Sequence, residues 1–473
     1  MSCIRFHLNG KTVEESRARP SITLLDYLRV HLGLYGTKEG CAEGDCGACT
    51  VVIGDPGAPG GPVYRAVNSC LLLLGEAHGR HVITVEGLAE GEVLHPVQEA
   101  LVRHGGSQCG YCTPGVVMSL FEAAHRADFD RPWKLADQIS GNLCRCTGYG
   151  PIRDAAKEVA GCQPPDRYAV LLSDGPAGPG ESFRYTGEGQ EFVRPRRLED
   201  LWDALDSDAR CAVAGGTTDL VLDAKQPART IGRLVSLSGI EELRGVEKGE
   251  RRWSIGAMTP LAELEEAAEE GLPMLASMLR YFGSRQIKNL GTVGGNLCTA
   301  SPVGDLAPCF LALGASVILA SRGGRREISI DRFFTGYRET ALQPREIVAS
   351  VAVPVPRENE IGAAFKVCKR RELDIATVSA AFLIELGNEG KISGARIAFG
   401  GMAATPSRAP SVEATLLGSE PSSASFAAAA AAIDSDFEPI GDHRGSASYR
   451  GALARNLVLE FGDSIEMRGG EAK

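Results

Sequence analysis

Four cysteines carry the first clear chemistry in this chain. Cys41, Cys46 and Cys49 stand in a C-x4-C-x2-C loop, Cys41-Ala-Glu-Gly-Asp-Cys-Gly-Ala-Cys49, and Cys70 follows further on. That spacing, with a distant fourth cysteine, is the plant-type [2Fe–2S] arrangement. The loop is rich in small residues (Gly40, Ala42, Gly44, Gly47, Ala48), which suits a backbone wrapped closely around a cluster with its amides turned toward sulfur. Two alternatives stand beside this reading. A structural zinc site usually shows two C-x2-C pairs, and a disulfide framework belongs to small secreted chains.

A second set of four follows. Cys109 and Cys112 lie in Gln108-Cys-Gly-Tyr-Cys-Thr-Pro-Gly115, and Cys144 and Cys146 lie in Asn142-Leu-Cys-Arg-Cys-Thr-Gly-Tyr149. Each run leads into a helix signal, with Thr113 as an N-cap, Pro114 at the first helical position and Pro151 opening the other helix. Thiolates at helix starts form a closed ligand set whose negative charge the amide ends offset. Zinc is the alternative here. The remaining cysteines, Cys3, Cys162, Cys211, Cys298, Cys309 and Cys368, show no ligand spacing and read as buried free thiols.

Two glycine-rich runs come later. Ala212-Val-Ala-Gly-Gly-Thr-Thr-Asp-Leu220 reads as a strand entering a turn whose amides and hydroxyls suit a pyrophosphate. It lacks G-x-G-x-x-G, so it gives no Rossmann fingerprint, and such turns are often only structural. The second is Asn289-Leu-Gly-Thr-Val-Gly-Gly-Asn296, followed by Thr299 to Asp305 and an apolar helix. Two separated amide-rich turns suit the two ends of a long dinucleotide. Asp305 is equally a plain N-cap, and Phe282 is equally a core aromatic.

The elements that must position these residues change texture along the chain. Residues 1–88 read as a small mixed sheet with one helix, a ferredoxin-like β-grasp plan: a strand at 3–8, a turn at Asn9-Gly10, a helix capped by Thr23, and strands near 50–53, 63–67 and 81–85. Residues 89–165 read as helical, and 166–190, rich in Pro, Gly and Asp, as a linker. Residues 191–355 form the stretch with the glycine turns. Residues 356–473 complete an α+β part, with an Ala-rich helix near 425–433 and another near Tyr449–Phe461. The fold class expected is therefore multidomain α+β.

The chain has 473 residues, 14 cysteines and a net charge of −10. An acidic balance argues against nucleic acid or an anionic membrane as the main partner. No signal-peptide core or membrane-length apolar run is visible, which points to a reducing, cytoplasmic home. No Ser/His/Asp constellation, P-loop or H-E-x-x-H is present.

The order of these motifs resembles the molybdenum hydroxylases. The plant-type loop, Q-C-G-Y-C-T-P-G, G-N-L-C-R-C-T-G-Y and T-V-G-G-N follow one another as in that family, most like the separate iron–sulfur/FAD subunits of its bacterial purine-oxidising members. The resemblance implies that Cys41, Cys46, Cys49 and Cys70 hold the cluster nearer the flavin. Cys109, Cys112, Cys144 and Cys146 hold the one nearer molybdenum, with Gln108 close to the pterin. It implies FAD contacts at Ala212, Val213, Ala214, Gly215, Gly216, Thr217, Thr218 and Asp219. Further contacts fall at Phe282, Thr292, Val293, Gly294, Gly295, Asn296, Asp305, Val348 and Lys366. The run Phe333-Phe-Thr-Gly-Tyr-Arg338, with Tyr337, resembles the segment near the nicotinamide. Leu373 departs from the pattern, standing where animal members carry an acidic residue near the flavin.

Animal members continue into a molybdopterin region before which this chain stops. The expectation is thus a partner subunit carrying molybdenum, in a pair of heterodimers. Electrons from hypoxanthine or xanthine hydroxylation would pass through two [2Fe–2S] clusters to FAD and on to NAD+. Rival readings are a hydroxylase for another N-heterocycle or an aldehyde, a non-catalytic electron carrier, and a zinc-stabilised assembly module.

Overall fold

The apolar alternation at the start of the chain becomes strand β1 (Ile4–Leu8). Asn9 and Gly10, with φ of 51° and 81°, turn it back into β2 (Lys11–Glu15), as the primed hairpin turn requires. With β3 (Thr50–Asp55), β4 (Val63–Asn68) and β5 (His81–Ile83) these strands form a mixed sheet of order β2-β1-β5-β3-β4. Only the β1–β5 pair is parallel. Thr23 caps the crossing helix, its hydroxyl accepting the Asp26 amide, and the helix continues as a wide turn to His31.

The structure, a computed structural model, describes residues 3–55, 62–165, 167–173, 181–207, 211–225 and 231–471. The chain forms two compact units. One holds Met1–Glu241 together with the later stretch Gly283–Gly291; the other holds Glu242–Phe282 and Thr292–Lys473. These units cut across the four-part division read from the sequence.

In the first unit the sheet is buried on both faces. Val51 and Ile53 of β3 point into a core with Phe6, Leu24 and Leu74. Val52, between them, points the other way, toward Val117, Leu120, Phe121 and Ile152. Period-two alternation assigns each residue to one face, and a strand covered on both sides reads as an unbroken apolar run. The second face is covered by helices Pro96–Arg103, Thr113–His125, Pro132–Ser140 and Gly150–Val159. Each fully buried Leu or Phe there contributes about 1.5–3 kcal/mol.

A second sheet of order β6-β7-β9-β8 joins strands β6 (Phe183–Gly187), β7 (Gln190–Arg194), β8 (Ala212–Ala214) and β9 (Arg233–Ser236). Phe183, Tyr185, Phe192 and Leu234 share the core of the first sheet.

Two sequence expectations need correction here. The stretch 166–190 is not a bare linker: Arg167–Ser173 is helical, 183–187 is β6, and Gln190 begins β7. Tyr168 and Leu172 are buried, and the Tyr168 hydroxyl donates to the Gly87 carbonyl at 2.6 Å. The flanking Pro and Gly hid this short apolar helix; residues 166 and 174–180 lie outside the described residues. Thr113 is not an N-cap. That position belongs to Cys112, and the Thr113 hydroxyl pairs with Ser107 at 2.7 Å instead.

The second unit contains β10 (Val246–Lys248), β11 (Arg252–Gly256), β12 (Ser316–Ser321), β13 (Gly324–Ser329), the hairpin β14 (Phe334–Gly336) and β15 (Glu339–Thr340), and β16 (Ile347–Pro354). Apart from the hairpin they pair as β10-β11-β16-β12-β13. Another sheet, of order β17-β18-β19-β20, follows with β17 (Glu360–Val367), β18 (Val378–Leu386), β19 (Ile392–Gly400) and β20 (Ser407–Arg408). Strand β18 repeats the two-faced pattern. Ala381 and Leu383 join one core, while Ala380, Phe382 and Ile384 join another. Helices Pro410–Leu416, Ser423–Ala431 and Ala447–Glu471 supply the outer layer.

Candidate functional site

The gap between Cys49 and Cys70 is set by a hairpin. Strands β3 and β4 pair Thr50 with Asn68. The residues flanking that pair therefore lie side by side, and the Ser69 amide and hydroxyl donate to the Cys49 carbonyl at 3.3 and 2.7 Å. Cys49 and Cys70 are buried, Cys41 and Cys46 half-buried. The Cys41–Cys49 loop turns through Ala42, Gly44 and Gly47, with φ of 61°, 86° and 69°. These turns point amides at sulfur: Asp45 and Cys46 donate to Cys41 Sγ at 3.2 Å, and Cys41 donates to Cys46 Sγ at 3.3 Å. A methyl group on Gly40 would stand 2.6 Å from Cys46 Sγ. The thiols hydrogen-bond in pairs, and Cys46 and Cys70 draw their partners Cys41 and Cys49 toward the thiolate.

The second set gathers in the same manner. Cys112 occupies the N-cap position of the helix Thr113–His125, and Tyr149, in the left-handed region at φ 66°, that of Gly150–Val159, neither with a side-chain capping bond. Cys109 pairs with Cys146, and Cys112 with Cys144. The amide of Tyr111 holds Cys109 below the ordinary thiol range, while burial pushes Cys112 up to about 12. Thr147 lies 3.1 Å from Cys144 Sγ. Cys109, Cys146 and Gln108 are exposed, so this set is the more open of the two. Among the described residues no three His, Cys, Asp or Glu side chains are gathered as for a single metal ion. The thiol pairs, amide donors and glycine clearances nonetheless fit two four-thiolate clusters.

The two loops touch through glycines. A methyl on Gly47 would stand 2.0 Å from the Gly141 carbonyl oxygen, and one on Gly115 2.2 Å from the Gly47 oxygen. Asn142 Nδ2 donates to the Gly47 carbonyl, and the Leu143 amide to the Cys46 carbonyl, both at 3.0 Å. The helix Arg285–Leu290 locks this junction. Gln286 donates to Ser119 Oγ at 2.9 Å and Asn142 Oδ1 at 3.0 Å. Fully buried Glu122 accepts from the Ala66 amide, Gln138, Arg285 and Asn289 at 2.9–3.2 Å. Lys288, also fully buried, pairs with Asp137 at 2.7 Å. Sequence reasoning missed this network; its local signal was Glu122, set inside the apolar run 116–124.

The two glycine turns fall in different units. In the first, Thr217 adopts φ 61° and its hydroxyl donates to the Leu71 carbonyl at 2.7 Å, beside Cys70. A methyl on Gly216 would meet the Leu290 oxygen at 1.8 Å. Val213 and Asp219 are exposed, and Asp219 makes no side-chain cap to the helix Leu220–Ala224.

In the second unit Thr292 caps the helix Val293–Thr299, accepting the Gly295 amide at 3.1 Å. Gly294 packs where a methyl would stand 2.7 Å from Ala257 Cβ. Lys366 Nζ bonds Asp305 and the Tyr281 carbonyl, each at 2.8 Å. Asp305 therefore does more than stand at the start of its helix, which it caps with no side-chain bond. Its Oδ1 is buried without a partner, and burial raises its pKa against the pull of Lys366. An orphaned buried acceptor in the unit that holds this amide-rich turn fits a polar cofactor. Phe282 is half-buried against the core, Val348 is buried in β16, and Tyr337 is exposed at the β14–β15 turn. A cavity of about 550 Å³ is lined by Leu311, Asp331, Phe334, Thr405 and Arg408, none of them an expected flavin contact. Its charges are already paired, Arg408 with Glu413 and Asp331 with Arg396.

Of the six other cysteines only Cys309 is buried, and Cys162 and Cys298 are exposed, so the expectation of buried thiols fails for most of them. Cys298 is reachable by solvent, yet dense protein around it pushes its thiol up to about 12.

Four family descriptions match along the chain. Residues 6–73 match "2Fe-2S iron-sulfur cluster binding domain" and 84–157 match "[2Fe-2S] binding domain". Residues 183–356 match "FAD binding domain in molybdopterin dehydrogenase", and 363–465 match "CO dehydrogenase flavoprotein C-terminal domain". The xanthine dehydrogenase/oxidase of Rattus norvegicus is 36% identical over 455 residues, covering 84% of this chain and 34% of that protein. The xanthine dehydrogenase of Emericella nidulans is 33% identical over 521 residues, covering 97% of this chain and 38% of that protein. The chain thus spans little more than a third of these curated relatives' length. Carbon monoxide dehydrogenase from Hydrogenophaga pseudoflava aligns with a TM-score of 0.54 and 29% identity, over 57% of this chain and 94% of that one. Two [2Fe–2S] domains, an FAD-binding domain and a flavoprotein C-terminal domain in one polypeptide place the chain in the molybdenum hydroxylase family, as its iron–sulfur and flavin portion.

Proposed function

We propose that this chain is the electron-relay part of a xanthine dehydrogenase. Cys41, Cys46, Cys49 and Cys70 would hold one cluster, and Cys109, Cys112, Cys144 and Cys146 the other. FAD would lie against 212–219, Phe282, Thr292–Asn296, Asp305, Val348 and Lys366, with NAD+ near Tyr337. When bound, the clusters pass single electrons and the flavin gathers them for hydride delivery to NAD+. The protein's own residues hold and tune. Loop amides donate to Cys41 and Cys46, the Gly47–Gly141–Gly115 contact fixes one cysteine loop against the other, and Lys366 keeps a positive charge beside Asp305. The observation that supports the reading is two cysteine runs with thiols hydrogen-bonded in pairs, one run half-buried to buried and the other more open, joined by the Leu143 amide donating to the Cys46 carbonyl.

The open set faces outward, as an entry point for electrons from a molybdenum-bearing partner subunit would. Two such heterodimers would form the working assembly, in the cytoplasm; among the described residues no helix is long and apolar enough to cross a membrane. The likeness to carbon monoxide dehydrogenase favours a second reading, a hydroxylase with another substrate. The test uses the chain together with its partner. Cys109→Ser should abolish xanthine-to-NAD+ turnover while NADH-driven dye reduction at the flavin persists. Loss of both would make that set structural. Intact cofactors that xanthine never reduces would favour another substrate.

A further inference from the structure

Sulfurs inside the two thiol sets accept hydrogen bonds of a kind that Cys309 and Cys368, outside them, do not show. Cys309 donates to the Asp305 carbonyl at 3.8 Å and Cys368 to the Arg370 carbonyl at 2.8 Å, as protonated thiols do. Within the sets, sulfur also accepts from groups other than thiols. Backbone amides are among these donors: those of Asp45 and Cys46 bond Cys41 Sγ, that of Cys41 bonds Cys46 Sγ, and that of Tyr111 bonds Cys109. Two more are side chains, one in each set: Asn68 Nδ2 lies 3.7 Å from Cys49 Sγ, and Thr147 Oγ1 lies 3.1 Å from Cys144 Sγ.

Both side chains are aimed by their surroundings. Asn68 is fully buried at the end of β4, where its pairing with Thr50 sets it beside Cys49. Its Oδ1 has no partner, so the amide's one contact of this kind is with sulfur. A metal-bound thiolate carries no proton and can only accept, which requires the N–H end of the amide to face it. The Thr147 hydroxyl accepts the Tyr149 amide at 3.2 Å, and toward a thiolate at Cys144, 3.1 Å away, it can only donate its proton. Neither bond is needed for backbone pairing.

We propose that Asn68 and Thr147 are positioning residues that set how readily each cluster is reduced, Asn68 through Cys49 and Thr147 through Cys144. The proposal rests on the ligand assignment made above. Reduction adds negative charge that the thiolate sulfurs share, and a fixed donor stabilises that form. The effect is larger where water is excluded. Asn68 is fully buried and Thr147 only half so, so Asn68 should have the stronger influence.

The test is an EPR-monitored redox titration of the protein purified with its natural partner. Asn68→Leu should lower the reduced-to-oxidised ratio of the Cys41–Cys70 cluster at fixed potential by about tenfold, or about 59 mV for one electron. The other cluster should stay where it was. Thr147→Val should do the converse, by about threefold. Should Asn68→Leu lose iron, Asn68→Ala is titrated in its place. Full iron with both midpoints unmoved would overturn the proposal. So would both midpoints moving together in either variant, which is general loosening. Zinc, or fewer than about four irons in the unsubstituted protein, would instead overturn the ligand assignment.

Discussion

Gly47→Ala tests the junction between the two cysteine loops. Gly47 adopts φ 69°, and a methyl there would stand 2.0 Å from the Gly141 oxygen and 2.7 Å from Asn142 Nδ2. The left-handed conformation alone costs an alanine about 1–2 kcal/mol. An ordinary carbon–oxygen contact needs more than an ångström of added separation. That displacement would break the Asn142–Gly47 and Leu143–Cys46 hydrogen bonds, each 3.0 Å long. Losing buried bonds costs about 1–3 kcal/mol apiece, so the total is about 3–8 kcal/mol. The assay is iron and sulfide content, with the thermal transition followed in cluster absorbance. At about 2–4 °C per kcal/mol for a unit of this size, that transition should fall by about 6 °C or more, or iron should be lost outright. Flavin content serves as the control. Full iron with an unshifted transition would refute the claim that this glycine contact holds the loops together.

Three other expectations follow from the same geometry. Lys288→Met should strip Asp137 of its buried partner at a cost of about 3–5 kcal/mol; adding Asp137→Leu should recover most of it, and a double variant as weak as the single would count against the ion pair. Burial, then Arg194 and Arg5, hold His78 down to about 4, while an unfolded histidine titrates near 6.5. A depressed base gives stability that is whole above about pH 6.5 and lost as pH falls toward 4. His78→Gln should flatten that limb of a melting-versus-pH curve, and an unchanged limb would exclude His78 as its source. Lys366→Met should leave Asp305 buried without its cation; flavin per chain should drop to about half or less with iron retained, and a full flavin complement would remove Lys366 from the site.

How much was legible in the sequence depends on how local the signal was. The C-x4-C-x2-C loop, Thr23 as a cap, the Asn9-Gly10 turn and the strand at 50–53 are short-range patterns, and each reappears in the fold; that Val52 faces a different core from its neighbours appears only in the structure. The junction was not legible, because its members lie far apart in the chain: Gly47 meets Gly141, and Glu122 meets Arg285 and Asn289. Charged residues such as Glu122, Asp137 and Lys288 normally signal a solvated helix face. Only tertiary pairing reveals them as buried. Arg167–Ser173 was obscured by flanking Pro and Gly, and Thr113 by a cysteine taking the cap position. The exposed thiols Cys162 and Cys298 show that residue type alone does not decide burial.

The most direct measurement of the central claim is the iron, sulfide and flavin content and visible spectrum of the chain with its natural partner, before and after xanthine. About four irons and one FAD per chain are expected, with a spectrum bleached by xanthine and restored by NAD+. Zinc in place of iron, or a protein without flavin, would contradict the claim.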